Sequence, residues 1–362
     1  VTFNGVTVVA TQDSSDFLQV HLNGGAAHSA AALLQNGGVI FDTNGRNVTI
    51  ANLLYNYASD TGALTKTGAG TLTLTANNAY SGGTTIDAGA MQIGNGGTAG
   101  SLGSGNVTNN GALVFNRTDA PSVANVISGT GTLMQAPSSA ASGTVLLLSG
   151  ANSYQGGTTI NGGAIRFGNP SAAGTGAVTI NSGALAMLWW NSGGSTFSND
   201  IAIGSSGGVA SGDGQNKDAL YADGGGGQGY GTYTLSGTIT LNNASSTIGG
   251  DGANNLDITG GITGPGGLSK GGSGRGGNIV TLSNPANDYA GNTTVNNGTL
   301  KLGASDVIPD GAGKGNVTVN GTLDIAGFTE AINGLSGSGI VNNSAGTGAL
   351  TVGSNDVTGA FS

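Results

Sequence analysis

Apolar residues along this chain fall in short alternating runs. Leu72 and Leu74 are separated by Thr73, Met91 and Ile93 by Gln92, Ile165 and Phe167 by Arg166, and Leu300 and Leu302 by Lys301. An apolar residue at every second position predicts a β-strand with one buried and one solvated face. The runs are three to six residues long, and Gly and Asn separate them, the two residues that best tolerate the positive φ of a tight corner. No helix-period pattern runs far enough to supply crossover helices. The segment AAHSAAALLQN at 26–36 predicts one or two helical turns at most.

The strands sit inside a longer repeat. AYSGGTTID at 79–87 returns as SYQGGTTIN at 153–161 and, more loosely, as DYAGNTTVN at 288–296. Aligned on Tyr80, Tyr154 and Tyr289, each copy has Gly two residues on, Thr-Thr at four and five, and Ile or Val at six. Gly89, Gly163 and Gly298 follow at nine, with apolar pairs at eleven and thirteen and Gly again at fourteen. The motif at 103–113 (GSGNVTNNGAL) recurs at 174–185 and 313–323, and ISGTGTL at 127–133 recurs at 262–268 and 335–341. The tyrosines are unevenly spaced, 154 − 80 = 74 and 289 − 154 = 135, so further turns intervene.

Short strands without crossover helices restrict the fold to a sandwich, a propeller or a solenoid. A repeat that varies in length but keeps its strand register favours a solenoid, in which each coil stacks only on its neighbours. The expected fold is all-β: a single-stranded right-handed parallel β-helix over 1–362, with a candidate extruded loop at 204–234. At roughly 20–25 residues and about 4.8 Å per coil the rod would be about 75 Å long. Tyr80 is expected to pack across a corner with its hydroxyl at the surface.

The unit LTKTGAGTLTLTANNAYSGGTTIDAGAMQIGN at 64–95 resembles the passenger-associated transport repeat of bacterial autotransporters, and the tail at 321–353 resembles a second form common in such proteins. The resemblance implies a right-handed β-helix on a Gram-negative cell surface, exported through the protein's own C-terminal β-barrel. Many members are adhesins or self-association proteins active in aggregation and biofilm. Some carry a protease or lipase domain ahead of the β-helix, which would make this segment a stalk. Residues 186–260 match the repeat poorly. Neither a signal peptide nor a barrel is read in this chain, which is expected to be an excised or processed piece.

Composition narrows the partners. Glycine contributes 73 of 362 residues, yet there is no Gly-X-Y period and Pro numbers only 6, so collagen is set aside. Apolar residues make up 37% and charged residues 7%, the reverse of a disordered chain. The net charge is −9, with no basic run, which argues against nucleic acid and anionic membrane. Every acid but Glu330 is Asp, the acid that suits turns. The absence of Cys removes thiol chemistry and cysteine metal clusters.

Candidate chemistry is sparse. The two histidines, His21 and His28, have no nucleophile elbow nearby, so no triad is expected. Asp200, Asp213, Asp218, Asp223, Asp251 and Asp257 crowd the divergent region and keep open a polysaccharide lyase or hydrolase, though turn aspartates explain them. GGDGANNLD at 249–257 resembles one calcium-binding nonapeptide with Asn254 where an acid is needed. Asn47, Asn116 and Asn320 head sequons that corner geometry accounts for. No cofactor, metal or catalytic residue is therefore expected. Binding residues are sought where the repeat fails: Trp189, Trp190, Lys217, Tyr221, Tyr230 and Tyr233, aromatic or basic groups among glycines that suit a sugar ring or a protein surface. The leading expectation is an adhesive passenger making homotypic contacts, or contacts with host or abiotic surface glycans or proteins.

Overall fold

The computed structural model describes residues 1–18, 31–137, 144–189, 195–209, 216–223, 231–252, 254–271, 278–353 and 361. Two compact units are present, one of residues 1–159 with 171–176, the other of residues 160–170 with 177–362. Both are parallel β-solenoids, and no helix occurs among the described residues. In the first unit Val6–Val9, Val39–Asp42, Leu64–Thr67, Thr84–Ile86, Val107–Asn109 and Ile127–Ser128 form one six-stranded sheet. Val48–Ile50, Thr71–Leu74, Ala90–Ile93, Ala112–Phe115 and Thr132–Gln135 stack as a second face. A third face pairs Thr2–Phe3, Ala32–Leu34 and Leu54–Tyr55. Of the segment 26–36, where one or two helical turns are expected, Ala32–Leu34 is instead a strand, because Ala32 and Leu34 are buried alternately in a coil, and 26–30 lie outside the described residues.

In the second unit one wall runs from Ala164–Phe167 through Leu185–Leu188, Leu220–Ala222, Ser246–Gly250, Leu268–Lys270, Thr293–Val295 and Asn316–Val319 to Gly334–Ser336. A second wall runs from Thr196–Phe197 to Ile340–Asn342. Register places like on like. Leu72, Met91, Leu113 and Leu133 form one buried row, and Tyr233, Leu256, Val280, Leu300 and Leu323 form another. Each such side chain contributes about 1.5–3 kcal/mol by leaving water.

The repeated phrase now has a physical reading. Tyr80, Tyr154 and Tyr289 are fully buried, and their hydroxyls meet the Oγ1 of Thr84, Thr158 and Thr293 at 2.7, 2.5 and 2.6 Å. The expected surface hydroxyl is thereby corrected: the first threonine of each pair turns inward to satisfy it. The second, Thr85, Thr159 or Thr294, faces outward. Two residues before each tyrosine stands an asparagine that the alignment passed over. Asn152 Oδ1 accepts the Ile127 N–H at 2.8 Å and its Nδ2 donates to Ala172 O at 2.7 Å, and Asn287 does the same between Ile262 and Val307. Asn78 bridges Leu54 and Ser101. One side chain thus ties three successive coils.

A lysine also enters the core. Lys66 follows Phe41 and precedes Ile86 in a buried row, and its amine donates to Thr43 Oγ1 and to the carbonyls of Thr67, Gly68 and Ala88 at 2.7–3.0 Å. Burial lowers its pKa to about 8, and the nearby Asp42 carboxylate acts in the opposite sense. Corners are closed by glycine where coils touch. A Cβ on Gly260 would lie 1.9 Å from Gly237 O.

Asn287→Ala, which strips two buried backbone groups of their partner, should cost about 1–3 kcal/mol. Tyr289→Phe should cost about 1 kcal/mol, and the outward Thr294→Ala no more than about 0.5 kcal/mol. Native-state amide exchange in Ile262–Thr263 and Thr293–Val295 checks this order.

Candidate functional site

The divergent region departs from the coils and returns. Gly208–Val209 pairs antiparallel with Asn216–Lys217, while Leu220–Ala222 and Thr232–Leu235 rejoin the two parallel walls. On the first wall Arg166, Met187 and Tyr221 are in register. Their row alternates with the inward rows Ile165–Ala186–Leu220 and Phe167–Leu188–Ala222, so it faces out of the coil. Met187 and Tyr221 are nonetheless fully buried, so this part of the wall is covered on its outer side as well. Strands buried on both faces read as continuous apolar runs, and the uninterrupted ALAMLWW of 184–190 is that signal in the sequence.

Trp189 continues the outward alternation, with its N–H on Phe167 O at 2.9 Å, and it is half-buried. The Arg166 guanidinium lies over its ring, 5.2 Å from the centroid, and reaches on to Asp223 Oδ2 at 2.6 Å. Cation, indole and carboxylate form one cluster on the outer face, in which the aromatic face and the acid share the arginine's charge. Sequence reasoning passed over Arg166, which stands inside a repeat copy rather than in the divergent stretch.

Of the residues sought for binding, the structure brings Trp189 and Tyr221 to this face, with Tyr221 underneath it. Tyr233 is buried in the core row with Leu256, because it occupies an inward position of its strand. The backbone of Lys217 lies in the antiparallel pair. Trp190 and Tyr230 lie outside the described residues, as do His21, His28 and Asp213. Two further acids serve the backbone or a neighbouring polar group. Asp200 accepts the Thr238 N–H at 2.8 Å, and Asp257 accepts from Ser283 Oγ at 2.7 Å. In the nonapeptide stretch Asn254 is buried and donates to Asp251 O. Among the described residues no three His, Cys, Asp or Glu side chains gather as a metal site requires.

A second cleft, of about 210 Å³, is lined by Asp288, Asp306, Asp310 and Glu330. Lys314 pairs with Asp288 at its rim. Glu330 is fully buried and accepts the N–H groups of Val307 and Ile308 at 2.9 and 3.3 Å. Burial pushes its pKa up to about 7 against those hydrogen bonds, and the charges of Asp306 and Asp310 add to the rise.

The passenger-associated-transport-repeat family matches this chain at residues 64–93, 142–166 and 275–302, the three spans that hold Tyr80, Tyr154 and Tyr289. A 54-residue stretch is 61% identical to the adhesin BmaC autotransporter of Brucella suis biovar 1 (strain 1330), covering 15% of this chain and 2% of that adhesin. No solved structure matches.

Asp223→Ala leaves the Arg166 guanidinium without its carboxylate and should destabilise the second unit by about 1–3 kcal/mol, with altered Trp fluorescence as a companion signal. For Glu330 the folded pKa lies above the unfolded one. Between about pH 4.5 and 7 the folded state therefore keeps a proton that the unfolded chain has released, and stability falls as pH rises through that window. Glu330→Gln should flatten this slope in denaturant titrations run across that range.

Proposed function

We propose that this chain, a β-solenoid carrying the passenger-associated transport repeats of autotransporters, is an adhesive, non-catalytic passenger segment. It is displayed at the surface of a Gram-negative cell or released from it, and the full-length protein's own C-terminal β-barrel is the partner that exports it. The observation that carries the adhesive reading is the chemistry of the outward rows. In the first unit Thr65, Thr85, Thr108 and Ser128 follow one another strand by strand. In the second, Thr294, Thr318 and Ser336 do the same. Such a row is uncharged, regularly spaced and rich in hydroxyls that both donate and accept.

Each hydroxyl contact is worth little alone. Many of them in register along two facing solenoid walls add up through effective concentration, so neighbouring cells are held by avidity. A surface glycan, itself a periodic array of hydroxyls, is bound by the same rows. The outer cluster of Trp189, Arg166 and Asp223, with Trp190 next to Trp189 in sequence and Lys217 and Tyr230 within seven residues of Asp223, supplies selectivity by stacking and charge. The relative's name, an adhesin, supports this reading.

Cells displaying the chain should sediment faster and retain more attached cells on a surface than cells with it deleted. Thr65→Arg, Thr85→Arg and Thr108→Arg together place like charges on facing walls and should reduce clumping several-fold at low salt, with recovery as salt screens them. Equal sedimentation and attachment with and without the chain would overturn the proposal.

A further inference from the structure

The second unit carries its own buried lysine at the place Lys66 holds in the first. Lys270 closes the strand Leu268–Lys270, stacks in register between Ile248 and Val295, and is fully buried. Its amine donates to Gly271 O, to Asn278 Oδ1 at 2.8 Å and to Asn297 O at 2.7 Å. Asn278 is 1% exposed, and its Nδ2 has no hydrogen-bond partner among the described residues. Asp218 is buried next to them. A Cβ on Gly271 would lie 1.7 Å from Asp218 Oδ1, and one on Gly249 2.0 Å from its Oδ2, so two glycines make room for this carboxylate beside the lysine's own neighbour. A buried amine therefore touches a buried carboxamide, and a buried carboxylate stands against Gly271, the residue that follows the lysine.

We propose that Lys270 and Asn278 condense into an intramolecular isopeptide bond, with Asp218 as the proton carrier. An amine attacks a carboxamide only when it is neutral and held against the carbonyl carbon. Burial lowers the Lys270 pKa to about 8, against the opposing pull of Asp218, so neutral amine is accessible. Because a C=O bond is about 1.23 Å long, the 2.8 Å contact with Oδ1 puts Cγ no more than about 4 Å from Nζ. A shift of at most about 1 Å reaches attack distance.

Asp218 takes a proton from the ammonium, and the Nζ lone pair forms the new bond to Cγ while the carbonyl π pair moves onto Oδ1. Protons pass from Nζ through Asp218 to Nδ2, the Oδ1 pair re-forms the carbonyl, and the Cγ–Nδ2 bond breaks. Lysine ammonium and carboxamide become one amide and one ammonium ion, Asp218 ends as it began, and no oxidant or reductant is needed. The product joins the last residue of the strand Leu268–Lys270 to the residue just before the strand Ile279–Leu282. Lys66 is the built-in comparison, since its amine meets a threonine hydroxyl and backbone carbonyls but no side-chain amide.

Intact mass spectrometry of the purified full chain decides the matter. The expected mass is lighter than that of the sequence by one ammonia. Trypsin should fail to cut after Lys270 and leave residues 218–275 joined to 276–301, while cutting normally after Lys66. Asp218→Asn and Lys270→Arg should each restore the full sequence mass. The unsubstituted protein suffices if those variants misfold: folded chain at full sequence mass, or an ammonia loss that maps elsewhere, overturns the proposal. Unchanged cross-linking in Asp218→Asn would overturn the role given to that carboxylate.

Discussion

Everything in these units depends on backbone hydrogen bonding from each coil to the next, in register, at about 4.8 Å. The spacing is fixed by N–H···O geometry and does not adapt to side chains, so the corners have to fit within it. That is why glycine is so abundant. At Gly82, Gly156 and Gly291, all two residues after a motif tyrosine, an added Cβ would meet a backbone atom of the preceding coil within 2.4–2.6 Å. At Gly89, Gly163 and Gly298 the corner instead needs positive φ. The same constraint explains why lengths between repeats can vary. An insertion leaves the stack at a corner and re-enters at the next strand, as the chain does through the antiparallel pair before Leu220–Ala222.

A coil stack of this kind buries polar groups that a globular core would avoid, and it does so in satisfied sets. Asn78, Asn152 and Asn287 replace backbone partners where strands are interrupted, each supplying one acceptor and one donor to different coils. The Tyr–Thr pairs close another buried donor. Lys66 fits the interior because four acceptors surround an amine with three protons. Lys270 differs in having a carboxamide among its acceptors, and that single difference turns a capping arrangement into a reactive one.

Function follows from what the coil leaves over. Its inward rows are filled and several of its outward rows carry hydroxyls, so the regular part offers extent and repetition. Where the coil is interrupted the outer wall carries different chemistry, an arginine held between an indole and a carboxylate at Arg166, Trp189 and Asp223. Of the acids that crowd this region by sequence, Asp200 and Asp257 tie neighbouring coils together.

The alternation of Leu72 with Leu74, the returning tyrosine phrase and the glycine corners were enough to fix strand class, parallel stacking and the inward set, because side-chain period and corner sterics are local properties. The resemblance of residues 64–95 pointed to the same repeat that the family comparison finds. Local pattern could not say where a side chain ends when neighbours come from other coils. It placed the Tyr80 hydroxyl at the surface, passed over the bridging asparagines, and gave no sign that Tyr221 and Tyr233 are buried. Only the stacked coils bring Arg166 onto Trp189 and Asp223, or Lys270 onto Asn278 beside Asp218. Those contacts join residues many positions apart, or across a corner, and their geometry is set by coil register, which no single strand encodes.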